Sequence, residues 1–196
     1  IVSECEYGQV VRDIALAEKY GARYHVCHIS AKESIEAVRN AKAKGSFVTC
    51  EVTPHHIALC DMDITEDHGR FKMNPPIRSA EDRDALVAGL VDGTIDCIAT
   101  DHAPHSAEEK SKGLSGSMNG IVGLETAFPI LYTNLVESGL VPVETLIRAM
   151  SINPRKIFGL PGGSLEVGEI ADITVLGLVF SASALIATPI ARLCSA

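Results

Sequence analysis

The stretch Gly93-Thr94-Ile95-Asp96-Cys97-Ile98-Ala99-Thr100-Asp101-His102-Ala103-Pro104-His105 decides how this chain is read. Its first half is a short apolar run opened by glycine, the pattern of a buried strand. Asp101 stands where that strand ends, with His102 and His105 just beyond. A carboxylate and imidazoles at one strand end can hold a metal ion or move protons. Alone, the pattern also fits a polar turn capping a strand. It gains weight because two earlier strands end in histidine.

The first of these is Arg23-Tyr24-His25-Val26-Cys27, ending at His28. The second is Phe47-Val48-Thr49-Cys50-Glu51-Val52, leading through Thr53-Pro54 to His55-His56. Each is preceded by a helical pattern and a glycine. Residues 4–20 place Val10, Val11, Ile14, Ala15 and Ala17 on one face, and Gly21 ends the run. Ser30 and Glu33 form a Ser-x-x-Glu capping box for a helix with Ile35, Val38 and Ala41 buried. Ser79 and Asp82 open a third helix, with Leu86, Val87 and Leu90 buried. Asp61–Asp67 reads as a short acidic helix and Phe71-Lys72-Met73 as a short strand before Asn74-Pro75-Pro76, where proline removes backbone donors. Helix alternating with strand implies parallel pairing through right-handed crossovers. Such folds put function at the carboxyl ends of the strands, so His28, His55 and Asp101 can converge. In regular strands His25 points opposite to His28 and is expected to face the core or the helices. His56 and His68 are read as structural or exposed.

Beyond Asp101, Ser106–Gly120 is a polar loop long enough to cover a substrate, or simply a solvated connection. Gly123–Val136 reads as a helix interrupted near Pro129, Pro142–Met150 as another, and Asn153–Phe158 as a helical turn. Leu165–Gly168 and Ala171–Leu176 look like two short β segments. The run Ile173–Ala191 carries no charge and nominally reaches membrane-spanning length. Thr174, Gly177, Ser181, Ser183, Thr188 and Pro189 dilute it, so no membrane span is expected.

The 196 residues allow one sizeable core, and 46% hydrophobic with 21% charged residues fits a globular protein. A net charge of −8 without a Lys/Arg cluster argues against a nucleic-acid surface. None of the six cysteines forms a C-x-x-C pair. Cys27, Cys50 and Cys97 fall within the expected strands as small buried hydrophobes, which suits a reducing cytoplasm. Two strand-end histidines and a strand-end aspartate in successive units favour a divalent metal such as zinc. Such an ion lowers the pKa of bound water and polarises a carbonyl, and Asp101 could take the water's proton and deliver it to a leaving nitrogen.

Tyr24-His25-Val26-Cys27-His28-Ile29-Ser30, Glu51-Val52-Thr53-Pro54-His55-His56, Lys72-Met73-Asn74-Pro75-Pro76-Ile77-Arg78 and Ala99-Thr100-Asp101-His102-Ala103-Pro104-His105 together resemble dihydroorotase, a cyclic amidohydrolase of the amidohydrolase superfamily. The likeness is collinear from about Glu4 to Leu176. Asp-His-Ala-Pro-His is shared with allantoinases and hydantoinases, whereas Lys-Met-Asn-Pro-Pro discriminates more sharply. The resemblance implies an α/β fold, a metal-dependent (β/α)8 barrel. It implies that His28 and His55 ligate the second of two zinc ions. Asp101 would ligate the first and act as general base, then acid. Asn74 and His105 would bind the substrate carboxylate, and Asn119 and Gly120 its ring. The implied reaction is the reversible opening of dihydroorotate to N-carbamoyl-aspartate in pyrimidine synthesis, with a homodimer as the implied assembly. The family often carries phenylalanine where Asn119 stands.

The departures are as informative. The family's first-strand His-x-His with its arginine, and its bridging acidic or carboxylated-lysine ligand, are missing. A full barrel needs ~250 residues, so the chain is expected to be a C-terminal half, about strands five to eight with the seventh weak. Residues 1–163 would be the partial barrel, 164–177 the start of an accessory β segment, and 178–196 a tail outside the family, explicable by a frameshift or misassembled end. Such a half would be inactive alone, with an unpaired strand edge that promotes self-association. The alternatives are an allantoinase- or hydantoinase-type enzyme, or an inactive chain that binds a partner.

Overall fold

The computed structural model describes residues 2–177; the expected tail, 178–196, lies outside the described residues. Helix α1 (Val2–Tyr20) leads into strand β1 (Tyr24–Val26), α2 (Lys32–Ala43) into β2 (Val48–Val52), and α4 (Ala80–Val91) into β3 (Cys97–Ile98). Helix α2 ends where Gly45 takes φ 84°, a left-handed turn that glycine adopts without strain. The strands form one parallel sheet in the order β1-β2-β3, with Tyr24 opposite Val48 and Glu51 opposite Cys97. Parallel pairing follows from the intervening helices, as the alternation implied.

Period-two alternation divides the sheet. Val26, Val48, Cys50 and Val52 face the helices and pack with Val10, Ile14, Ile35, Val38, Leu86 and Leu90 in the main core. Burying each such aliphatic side chain contributes about 1.5–3 kcal/mol. Val11 lies off this face and is exposed. The opposite face carries His25, Thr49, Glu51 and Cys97. His25 lies on this second face, largely buried against Thr49 and Glu51 and with its ring edge-to-face on Phe158 at 5.2 Å, in keeping with a residue that faces the interior or a helix. Cys27 lies just past β1 and is exposed, whereas Cys50 and Cys97 are buried as expected.

Several local expectations are corrected. Phe71-Lys72-Met73 is not a strand: Gly69–Phe71 is a 3-10 turn, and Phe71 and Met73 anchor a second, smaller core with Leu59, Ile77, Ile121 and Ile130. Ser30 does not cap α2, whose N-cap is Ala31 without a side-chain bond; its hydroxyl is engaged by Glu6 instead. Asp61–Asp67 narrows to a 3-10 turn over Asp61–Asp63. Ser79 does cap α4, accepting from the Asp82 N–H. The loop after β3 contains two short helices, α5 (Ala107–Lys110) and α6 (Gly113–Gly116). Helix α7 (Ala127–Leu131) runs into a π-helical segment, Tyr132–Glu137; α8 (Val143–Ile147) and α9 (Asn153–Phe158) follow. Residues 164–177 contain no strand. Leu165, Val167 and Val175 are exposed there, because no described strand is available to pair with them. No helix among the described residues is long and apolar enough to cross a membrane.

Candidate active site

Among the described residues only two non-glycine residues have positive φ: His28 at 36° and Asp101 at 48°. Both lie just after strands, at the carboxyl edge of the sheet. A non-glycine residue held there stores about 1–3 kcal/mol, and such strain gathers at functional sites. The Asp101 carboxylate is exposed to solvent and His28 is half-buried. Cys27, next to His28 in the chain, has its thiol pushed up by burial, then by the charges of Glu51 and Asp101. The His28 Nδ1 is buried without a hydrogen-bond partner.

His55 is not on a strand. It occupies the first turn of α3 (Pro54–Ala58), which begins because Thr53 caps it and Pro54 presets its backbone. It is 2% exposed, and its Nε2 is also buried without a partner. Burial, then the neighbouring His56 and His28, push its protonation well below the ordinary histidine range, so it is a neutral imidazole. His56 is structural. Its Nε2 donates to the Pro75 carbonyl at 3.0 Å and its Nδ1 accepts from the Thr53 hydroxyl at 2.7 Å. Burial above all holds its pKa down at about 4. His68 is local too, its Nδ1 accepting from the Arg70 N–H. His102 accepts from the N–H groups of Gly123 and Leu124 and so fixes the return of the loop.

The remaining candidates converge from three loops. His105 Nε2 donates to the Asn119 carbonyl at 2.8 Å. The Gly120 N–H donates to the Lys72 carbonyl at 3.0 Å, which ties the loop to the segment carrying the exposed Asn74. The Asn74–Pro75 peptide is cis. A Cβ at Gly120 would stand 2.6 Å from the Ala103 carbonyl oxygen, so only glycine allows this approach. Lys110 completes the clasp, its ammonium donating to the carbonyls of Lys72, Met118 and Gly120 at 2.7–2.9 Å.

A second knot holds the turn behind His28. Glu6 accepts from the N–H groups of Ser30 and Ala31 at 3.1 Å, from the Ser30 hydroxyl at 2.5 Å and from Arg78 at 3.0 Å. Arg78 also donates to the Ser30 hydroxyl. Burial opposes ionisation of Glu6, but the bonds from Ser30 and the Arg78 charge outweigh it and hold its pKa below the usual range. Glu6 and Lys110 escape sequence reasoning because nothing local marks them; Arg78 stands within a quoted motif but without a role.

His28, His55 and Asp101 do not form a tight donor set. Among the described residues, the one group of three possible ligands with donor atoms all within 4.8 Å of one another is His25, Glu51 and Cys97.

The sequence model of the Amidohydrolase family matches residues 1–193. The chain is 57% identical over 178 residues to a dihydroorotase of Geobacillus sp. (strain WCH70) and 58% identical over the same length to one of Fusobacterium nucleatum. Each match covers 91% of this chain and 42% of the relative, so the chain spans about two fifths of the length of these proteins. Its fold is similar to an L-hydantoinase (dihydropyrimidinase) from Arthrobacter aurescens, with a TM-score of 0.80 and 33% identity over 84% of this chain and 38% of that one. It is also similar to a D-hydantoinase (dihydropyrimidinase) from Thermus sp., with a TM-score of 0.79 and 29% identity over the same shares. The three parallel strands with their covering helices are thus a part of a (β/α)8 barrel. With strained histidine and aspartate at the strand ends and a family match along nearly its whole length, the chain belongs to the amidohydrolase family.

Proposed function

We propose that this chain supplies the C-terminal part of the barrel of a dihydroorotase, which interconverts dihydroorotate and N-carbamoyl-aspartate. The observation that carries the reading is the convergence of the Asn74 segment with His105, Asn119 and Gly120 through the Lys72–Gly120 and His105–Asn119 bonds, in the loop that follows an exposed Asp101. Asn74 and His105 bind the substrate carboxylate, and the backbone around Asn119 and Gly120 lines the ring. Asp101 takes the proton of the attacking water and returns it to the departing ring nitrogen.

The residues suit divalent metal. His28 offers a buried imidazole nitrogen without a partner and Asp101 an exposed carboxylate, both on strained backbones just after strands. His28 and the neutral His55, each with a buried ring nitrogen that lacks a partner, would hold one zinc of a pair and Asp101 the other. The bound ion supplies polarisation of the amide carbonyl and a low-pKa water. The reaction takes place in the cytoplasm on small molecules, in a homodimer.

The test is reconstitution. The chain should show weak or no hydrolysis of dihydroorotate alone. Mixed with the complementary N-terminal portion of the Geobacillus relative and zinc, it should gain that activity. Preferential hydrolysis of hydantoins by the reconstituted pair would replace the substrate assignment. Stable pairing without turnover would favour the inactive partner-binding reading.

A further inference from the structure

We propose that His25, Glu51 and Cys97 form a metal site of their own, for a borderline or soft divalent cation such as zinc, on the sheet face below the strand ends. It stands independently of the proposed function. Three adjacent parallel strands contribute one donor each, a nitrogen, an oxygen and a sulfur, with all three atoms within 4.8 Å of one another. Such a mixed set is what zinc selects. His25 Nε2 and Glu51 Oε2 are 3.1 Å apart. Two ligands about 2.0–2.1 Å from a tetrahedral zinc are separated by roughly 3.3 Å, so this edge of the site is close to formed. Both side chains are only 14% exposed, and Cys97 is 2% exposed. Water competes poorly with an ion there.

The second observation is the partner behind the imidazole. Thr49 Oγ1 lies 2.7 Å from His25 Nδ1. An oxygen fixed on one ring nitrogen orients the other, the usual arrangement behind a metal-bound histidine. In the metal-free protein the Thr49 hydroxyl donates to Nδ1 and Nε2–H donates to Glu51. On binding, the ring changes tautomer: its proton leaves Nε2, and Nδ1–H donates to Thr49 Oγ1. Cys97 loses its thiol proton to solvent, so one proton is released per ion. Burial first, then the charges of Glu51 and Asp96, push that thiol up to about 12, and affinity accordingly falls with falling pH. His25 lies three residues before His28, roughly 10 Å at the rise of a strand, so the two centres are separate. The exposed Cys27 or a water can fill the fourth position.

The experiment is a cobalt titration of the full chain under a non-coordinating phosphine reductant. The expected result is a near-ultraviolet thiolate-to-cobalt band that saturates at one equivalent and that zinc abolishes. Cys97→Ser should remove the band, and Thr49→Val should weaken binding about tenfold. His28→Gln and Asp101→Asn should leave it unchanged. Circular dichroism establishes that each variant folds; if Cys97→Ser does not, His25→Gln replaces it, with the same expected loss of binding. Absence of the band in the wild-type chain overturns the proposal. So does a band of equal intensity in folded Cys97→Ser, which would assign it to another thiol. Loss of binding in His28→Gln or Asp101→Asn would move the ion to the strand ends, overturning this site while supporting the proposed function.

Discussion

Strand β3 is bracketed by two aspartates with opposite environments. Asp96, just before it, accepts from Lys42 Nζ at 2.6 Å and from the Cys50 N–H at 2.8 Å, and its carbonyl accepts from Asn153. Asp101, just after it, is exposed and held at a positive φ of 48°. One carboxylate has an oxygen, Oδ2, doubly engaged and an unstrained backbone. The other leaves its carboxylate open to solvent on a strained backbone. Five residues apart, the same side chain staples the sheet at one end and stands open to solvent at the other.

The contrast breaks most sharply at Asp101. In a complete enzyme built on this chain, Asp101→Asn should lower kcat by about 10²–10⁴-fold, the usual contribution of a general acid–base group. Its melting temperature should not fall, because asparagine tolerates a left-handed backbone well. A clear fall in stability would make Asp101 a second staple. Asp96→Ala should do the reverse in the chain itself. Urea unfolding should show a loss of about 2–3 kcal/mol, since the Cys50 N–H is left without its acceptor and Lys42 keeps only the Thr94 carbonyl. Stability within 0.5 kcal/mol of wild type, about the spread of neutral surface changes, would remove Asp96 from the staple role.

A similar contrast separates the two adjacent histidines of α3. His56 is held by hydrogen bonds on both nitrogens, whereas the Nε2 of His55 has none. Because the folded pKa of His56 is about 4, below the unfolded value near 6.5, the unfolded chain takes up a proton that the folded chain refuses. Stability contributed by neutral His56 is therefore present above pH about 6.5 and lost as pH falls towards about 4. Denaturation midpoints measured from pH 7 to pH 4 should decline, and His56→Gln should flatten the decline. An equally steep decline in that variant would place the acid sensitivity elsewhere. The smallest expected effect is at Gly120→Ala. The added methyl and the positive φ should weaken the loop clasp by about 1–3 kcal/mol, seen as faster amide exchange around Lys72 and Lys110 with little change in global unfolding. Unchanged exchange would show that the loop absorbs the methyl.

The sequence was most legible where periodicity and burial agree. Val48, Cys50 and Val52 alternate toward the helices, and the parallel helix–strand units follow from that pattern. The strand-end residues His28 and Asp101 were legible because strands end at recognisable glycine-bounded runs. Phe71-Lys72-Met73 misled because its apolar residues serve a second core through a 3-10 turn, and three residues carry too little periodicity to separate the two. Ser30 misled because a Ser-x-x-Glu pattern does not reveal that a carboxylate elsewhere in the chain outcompetes the helix for its hydroxyl. Parity was enough to turn His25 inward, but not to name Phe158 as the ring it meets, because that contact joins segments more than a hundred residues apart.

Glu6 and Arg78, whose side chains meet around Ser30, are 72 residues apart in sequence. During synthesis at roughly 5–20 residues per second, Glu6 leaves the ribosome several seconds before its cation does. In that interval the first helix and the first strand can dock, but their carboxylate enters a closing interior without its counter-charge. The turn carrying His28 therefore settles last in its neighbourhood, when the loop that presents Asn74 arrives. The order in which the chain emerges makes the His28 turn and the Asn74 loop set together.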